Sequence, residues 1–313
     1  MMWMAEYYVA AVMLLALCVY LLTGGADFGS GILDLLCAGP RASKQRQLIS
    51  KTLAPVWEAN HVWLILIIIL LFVCFPSVFS TVSIVLHIPI TIMLVGITLR
   101  GAAFIFRTHD LDTTHVQRRW NLLFAIGSII TPFMLGVCLG AVASGNLPTE
   151  PYLGGSFYDY FIGPWLQRFP MMIGSLTLLL CAFLSSLYLT PRAHNEELKQ
   201  DFRHRAFGFA ILIALAAFIT LYTAKSDAPL IYNQLLYQTW SLGFQVVMAF
   251  IAVSVFIALF LKQDLLAKLT GMAQAVCMIS GWALAQFPYL IVDSHTILQS
   301  AASPSILIPV LIT

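Results

Sequence analysis

Among the ionisable side chains that interrupt the apolar stretches of this sequence, five could do chemistry together: Asp27, Asp34, Glu58, His61 and Arg100. If those stretches cross a membrane, each charge is costly, because a charge at the bilayer centre costs about 2.5–3.5 kcal/mol on insertion scales. Such residues are therefore functional candidates by default. Buried carboxylates can accept and release protons, so the first chemistry that this set indicates is proton conduction.

The spacing of these residues predicts one polar column. Asp34 follows Asp27 by seven residues, two helical turns, so both face the same side of a helix. Glu58 and His61 are one turn apart. At a rise of about 1.5 Å per residue, Glu58 lies roughly 10 Å in from Lys51, and Asp27 roughly 15 Å from the same surface. Two consecutive antiparallel helices would bring these four side chains together.

A static role for the same residues stays open at this point. Asp27 or Glu58 could pair with Arg100 and hold three helices together without moving a proton. The pattern Gly25-xxx-Gly29 around Asp27 also allows close helix approach.

Metal and haem ligation are weakly indicated. His61 and His87 could each ligate haem iron, but no facing histidine pair or His/Met pair can be identified. Five of the six cysteines lie in apolar runs, and no CxxC or CxxCH motif occurs. We therefore expect small core-packing thiols and no metal site.

The elements that must position these residues are membrane-spanning helices. The 313 residues are 60% hydrophobic and 10% charged, whereas soluble domains carry about 25% charged residues. A helix needs about 20 apolar residues to cross a bilayer, which predicts an all-α integral membrane protein. We place eight complete spans near 6–36, 52–75, 78–106, 120–143, 161–190, 204–224, 236–261 and 268–292. A ninth begins near Ser303 and is truncated at Thr313.

Charge predicts the orientation of these spans. Thirteen of the sixteen Lys and Arg residues fall in loops on one side, and the positive-inside rule makes that side cytoplasmic. The N-terminus and Asp293 are then outside. A net charge of +2 is too small to suggest nucleic-acid binding.

Three motifs occur in order along the chain: GADFGSG at 25–31, APVWEANHVW at 54–63 and RGAAF at 100–104. Together with the later hydrophobic segments, they resemble subunit II of the cytochrome bd-type (cyanide-insensitive) quinol oxidases. The resemblance covers nearly the whole chain. It implies a terminal oxidase of the respiratory chain, which passes electrons from membrane quinol to dioxygen and forms water.

The resemblance also implies an architecture and a set of partners. Residues 1–313 would form a single polytopic domain of two four-helix bundles, about 1–145 and 160–313, plus a peripheral helix. Haem b and haem d would belong to a partner, the haem-bearing subunit I, while this chain supplies a cytoplasmic proton route at Glu58. A bound quinone, membrane lipid and small accessory subunits are further expectations, in a bacterial cytoplasmic (inner) membrane.

Three positions depart from the family pattern. Gly24 stands where members often carry a second acid, and Ala59 and His61 replace residues that are often Gly and Glu or Gln. His61 could relay the proton or replace a hydrogen bond. A different function class, a secondary transporter using buried carboxylates, fits the same composition. Transporters often show inverted repeats, and we find none here.

Overall fold

The computed structural model describes residues 4–53, 57–109, 114–148 and 155–312, without the side chains of 53, 57–59, 107–109 and 114–118. The described chain is almost entirely helical, as the apolar composition predicts. The α-helices are α1 (Ala5–Leu35), α2 (Ala42–Leu53), α3 (Trp57–Cys74), α4 (Pro76–Val85), α5 (His87–His109), α6 (Thr114–Ser144), α7 (Phe157–Phe161), α8 (Arg168–Leu189), α9 (Glu196–Asp227), α10 (Pro229–Tyr237), α11 (Thr239–Phe260), α12 (Asp264–Gln286), α13 (Ile297–Ser300) and α14 (Pro304–Ile312). A 3₁₀ turn covers Thr190–Arg192, and two strands, β1 (Tyr289–Ile291) and β2 (His295–Thr296), complete the chain.

Fewer helices meet the length and apolarity of a membrane span than the eight predicted. Within the described residues there are six, in α1, α5, α6, α8, α9 and α11, and a seventh if α3 and α4 count together. The helix at the eighth predicted position, α12, is long enough at 23 residues. It is less apolar because it carries Lys268, Gln274 and two glycines.

The predicted span 78–106 was wrong at its start. The structure ends α4 at Val85 and begins α5 at His87, and the described parts of α3 and α4 meet at an angle of 118°. Proline explains the second break, because Pro89 has no N–H to donate to the carbonyl of Val85 and its ring crowds that carbonyl. Pro76, at the first position of α4, marks the other bend.

The predicted span 268–292 was wrong at its end. Phe287 has φ −56° and ψ 136°, so α12 stops at Gln286. A residue before proline avoids the helical conformation, and Pro288 comes next. The chain then forms an antiparallel hairpin of β1 and β2, where Asp293 takes a positive φ of 60°. Val292 donates its N–H to the carbonyl of Val142, which ties the hairpin to the end of α6.

One other predicted boundary also shifts, and one predicted helix is found in place. The span predicted at 161–190 begins later, at Arg168, because α7 and a turn occupy the residues before it. The segment near Ser303 is helical as predicted and forms the short α14.

Helix α1 is the central helix around the candidate site. It packs against α3, α6 and α8, and all eight residues of 24–31 are buried. Glycine allows this close contact, because a Cβ at Gly29 would collide with the backbone carbonyl of Cys181 on α8. A Cβ at Gly25 would also meet α8, 3.1 Å from Leu184. The Gly25-xxx-Gly29 pattern therefore marks a close helix contact, as the sequence predicts.

Candidate functional site

A buried ion pair lies in the middle of the protein, between α1 and α5. Nη1 of Arg100 donates to Oδ2 of Asp27 at 2.6 Å, and Nη2 donates to Oδ1 at 2.6 Å. The side chains are only 5% and 3% exposed. Two parallel charge-assisted bonds of this kind fix both the distance and the plane of the two groups.

The remaining donors of Arg100 bind two further acceptors. Nη2 also reaches the backbone carbonyl of Asp27 at 3.0 Å, and Nε donates to Oγ of Ser128 on α6 at 2.9 Å. The guanidinium carbon lies 4.9 Å from the ring centroids of both Phe28 and Phe124. The cation is therefore held between two aromatic faces, which contribute a favourable cation–π interaction.

Helix α3 joins this pair through Asn60. Its side-chain amide donates to Oδ2 of Asp27 at 3.2 Å, and Asn60 is itself buried. The carboxylate of Asp27 thus accepts three hydrogen bonds from α3 and α5. One node, centred on α1, connects α3, α5 and α6.

Asp34 lies two turns further along α1, close to the helix end. It is buried, and its Oδ1 lies 3.8 Å from Nε of Arg46 on α2. That distance is an ion pair and not a hydrogen bond. Arg46 also donates to the carbonyl of Cys37 at 3.3 Å, so α2 is held against the end of α1.

His61 lies beside the node, whereas Glu58 is only partly described. His61 is half-buried and directly follows Asn60 on α3, and its ring centroid lies 6.3 Å from that of Phe28. Glu58 lies in the first turn of α3, but its side chain is outside the described residues. The structure therefore joins Asp27 to Arg100, places His61 beside Phe28, and leaves Glu58 placed by its backbone alone.

Several polar atoms near the node have no hydrogen-bond partner within the described part of the chain. They are buried and include the Tyr20 hydroxyl, Oδ1 of Asn60 and the Ser185 hydroxyl. Tyr20 lies in edge-to-face contact with Phe28, with 6.4 Å between ring centroids. Buried polar groups are normally satisfied by protein or by ordered water.

The two histidines considered as haem ligands lie far apart in depth. His61 adjoins Asn60 and the node, while His87 begins α5, thirteen residues before Arg100 and hence about 20 Å away along the axis. Nδ1 of His87 lies 2.8 Å from the carbonyl of Ile84. The pair cannot bind one haem from opposite faces. Among the described residues, no group of three or more His, Cys, Asp or Glu side chains could hold a metal ion.

A second polar network joins α2 to α9 at the end of the protein that is rich in Lys and Arg. Arg41 binds Asp201 through Nε and Nη2 at 2.8 and 2.7 Å, and Gln45 donates to the same carboxylate at 2.7 Å. The hydrogen bonds from Arg41 to Asp201, with the negative charge of that carboxylate, raise the pKa of Arg41 above its ordinary value. Nη2 of Arg205 completes the network by donating to Oε1 of Gln45 at 2.8 Å.

The sequence analysis did not identify the polar side chains that complete the node around Asp27 and the network around Asp201. Asn60 stood inside a motif but without a role, and Ser128 and Asp201 were not singled out. A signal existed for Ser128, because a hydroxyl in an apolar helix needs an acceptor or donor nearby. For Asp201 there was none, since a carboxylate among many loop charges looks solvated.

The family described as cytochrome bd terminal oxidase subunit II matches residues 5–313. The chain belongs to this family. The match includes all three motifs and every residue of the buried node.

Individual relatives of this chain are distant. It is 26% identical over 209 residues to cytochrome bd ubiquinol oxidase subunit 2 of Bacillus subtilis (strain 168), covering 65% of this chain and 58% of that one. It is 25% identical over 182 residues to cytochrome bd-I ubiquinol oxidase subunit 2 of Escherichia coli (strain K12), covering 56% and 46%. The chain thus spans about half the length of these two curated relatives. A second subunit II relative from the same Bacillus strain aligns over 92% of this chain and 84% of its own, at 24% identity.

A solved structure shares the fold over nearly the whole chain. It is the bd oxidase from Geobacillus thermodenitrificans, with a TM-score of 0.81 and 20% sequence identity. The superposition covers 98% of this chain and 92% of that one. The fold is therefore that of a chain in a bd oxidase.

Proposed function

We propose that this chain is the non-haem subunit II of a membrane quinol:oxygen oxidoreductase. The observation that carries the proposal is the family match over residues 5–313. The two curated relatives reported first are named as ubiquinol oxidase subunits. In this role the chain supports a haem-bearing partner and contributes a path for protons from the cytoplasm.

The proposed architecture has eight spans in two four-helix bundles, about 1–145 and 160–313, with α14 as the start of a peripheral ninth helix. The N-terminus would be on the outer side of the bacterial inner membrane. The start of α1 and the β1–β2 hairpin share one apolar cluster, which supports placing the N-terminus and Asp293 on the same side. The network around Arg41 and Asp201 would then be cytoplasmic.

The proposed proton path runs along the interface of α1 and α3. Asp34 lies at the entrance, about 10 Å along α1 from Asp27. Glu58 is the proton carrier, with His61 one turn further along α3. Water bound at buried hydroxyl and amide groups, such as Tyr20, would connect the carboxylates, because protons move through chains of hydrogen bonds.

Asp27 has a positioning role in this proposal. Both of its oxygens are engaged by Arg100, and Oδ2 also accepts a hydrogen bond from Asn60. The pair holds α1, α3 and α5 at a fixed separation. From the sequence, a static ion pair and proton conduction were alternatives for the same residues. We assign the static pair to Asp27 and Arg100, and the role of proton carrier to Glu58.

The redox cofactors are proposed to lie in the partner. Haem b and haem d would be held by subunit I, and the separation of His61 from His87 supports this assignment. A bound quinone, membrane lipid and small accessory subunits remain expected companions of the complex, without residues assigned to them. The haem groups would supply the electron transfer, while this chain supplies scaffold and protons.

The test is a mild-detergent pull-down of this chain from its native membrane, followed by a reduced-minus-oxidised visible spectrum. We expect haem b and haem d bands to co-elute with a second large polypeptide. A chain that elutes alone, shows no haem bands and binds a transport substrate would overturn the proposal. It would favour the alternative function, a secondary transporter. Family membership does not favour that alternative.

A further inference from the structure

An open cleft of about 650 Å³ lies between α2 and the connection from α8 to α9. One face of α2 forms the first wall, because its lining residues follow helical spacing: Lys44, Gln47, Leu48, Lys51 and Thr52. The opposite wall is formed by 191–195 and Leu198. The other face of α2 is used for packing, since Gln45 and Ile49 are buried.

The cleft is basic and unneutralised. Lys44, Lys51, Arg192 and His194 all line it, and each is exposed. Among the described residues that line the cleft, none is acidic. Within the same part of the chain, none of these four side chains lies within ion-pair distance of a carboxylate.

Neighbouring arginines differ from these cleft residues. Arg41 is paired with Asp201, Arg46 with Asp34, and Arg203 with Asp264. The chain therefore supplies carboxylates to the basic residues that pack helices together. It leaves Lys44, Lys51 and Arg192 without one, although these three like charges around one space repel each other. An anion bound among them removes that repulsion.

We propose that this cleft binds a phosphate group. Three kinds of cationic or hydrogen-bonding donor converge on it: two ammonium groups, a guanidinium and an imidazole, with the side-chain amides of Gln47 and Asn195 beside them. The volume lies within the range of about 300–1,000 Å³ that is common for small-molecule sites. Leu48, Leu198 and Pro191 add an apolar part to the wall, where a glycerol or acyl segment can lie.

Two sources can supply the phosphate. An anionic phospholipid of the adjoining leaflet is one, since basic pockets at the cytoplasmic membrane surface bind such head groups. A free phosphate from solution is the other. The apolar wall favours the lipid. The phosphate site uses only the cleft and its charges, whereas the lipid as its source rests on the proposed membrane orientation.

The experiment uses the full chain, in its complex where one forms, reconstituted in nanodiscs of neutral phosphatidylcholine. Dihexanoyl phosphatidylglycerol and inorganic phosphate are titrated separately, and binding is followed by the perturbation of ¹⁵N-labelled lysine and arginine side chains. The test variant is K44Q/K51Q. The matched control is K199Q/K262Q, which removes the same charge from two lysines that do not line the cleft.

We expect phosphatidylglycerol to bind more tightly than inorganic phosphate. Each lysine removed should weaken binding about fivefold, and K44Q/K51Q about 25-fold, whereas the control should bind as the parent chain does. Equal binding of inorganic phosphate and phosphatidylglycerol would also support the site and identify free phosphate as the ligand. Equal loss in both double variants, or no binding of either probe, would overturn the proposal.

Discussion

The Asp27–Arg100 pair gives the sharpest prediction about stability. Replacing Arg100 with Gln removes the cation and leaves the carboxylate of Asp27 buried with only the amide of Asn60 donating to it from another helix. Breaking a buried pair by removing one partner costs about 3–5 kcal/mol. We expect the upper part of that range, because the two side chains are 5% and 3% exposed and the aromatic contacts on both faces of the guanidinium are also lost.

A double-mutant cycle separates this charge penalty from ordinary packing loss. Asp27→Asn alone strands the guanidinium, and we expect a similar cost. The double variant Asp27→Asn/Arg100→Gln has no unpaired charge, so it should recover about 2–3 kcal/mol relative to the sum of the single variants. The apparent melting temperature by size-exclusion detection in detergent, together with membrane yield, reports the four corners of the cycle.

The control for this cycle is Arg168→Gln. The side chain of Arg168 is 79% exposed, and it lies 3.8 Å from Asp227, so its loss should leave yield and melting temperature nearly unchanged. If Arg100→Gln melts like the control, or if the double variant loses as much as both single variants added together, the pair does not hold the helices and the reasoning is refuted.

Three further predictions concern other parts of the chain. Glu58→Gln should assemble normally but slow quinol-driven oxygen uptake, because an amide cannot carry protons, and Glu58→Asp should keep much of the activity; wild-type uptake in an assembled Glu58→Gln complex would defeat the proton role. Gly29→Val should abolish assembly, because its Cβ collides with the backbone of Cys181, whereas Gly243→Ala, with no atom within 4 Å of the new Cβ, should assemble; equal yields would contradict the close contact. Asp201→Asn should lower the melting temperature without preventing assembly, because it weakens the link between α2 and α9; an unchanged melting temperature would count against that link.

The sequence predicted which charged residues matter, but not which carboxylate pairs with Arg100. Costly charges in apolar segments identified Asp27 and Arg100, because a membrane retains few such residues. Whether Asp27 or Glu58 met Arg100 depended on helix rotation and on contacts between residues 73 positions apart. Neither can be read from spacing along one helix. The geometry of Asn60 and Ser128 around the pair was inaccessible for the same reason.

The helical class was predictable, whereas several boundaries were not. A composition of 60% hydrophobic residues predicted membrane helices. Hydropathy does not reveal where prolines break those helices, because the residues on both sides of a break are apolar. The segment from Val78 to Pro89 looked like the start of one span, 78–106, because its residues are apolar. Pro288 lies inside the span predicted at 268–292, and it instead follows the end of α12 and precedes the β1–β2 hairpin.

The network around Asp201 could not be predicted from the sequence, because the sequence does not show which charges pair. Counting Lys and Arg predicts which side of the membrane a loop occupies, but it does not tell which carboxylate each cation meets. Arg41 and Arg203 are satisfied by acids 160 and 61 positions away. The sequence does not show that the lysines of the cleft lack such a partner, because only the structure shows which cations lie near a carboxylate. The phosphate site is therefore proposed from the structure alone.

The most direct test of the account is quinol-dependent oxygen uptake by the complex isolated through a tag on this chain. We predict that oxygen consumption starts on addition of a reduced quinol and requires co-purified haem. A complex that carries haem yet consumes no oxygen with any quinol offered, or a preparation whose uptake is unchanged after this chain is depleted, would contradict the assignment of this chain to a quinol oxidase.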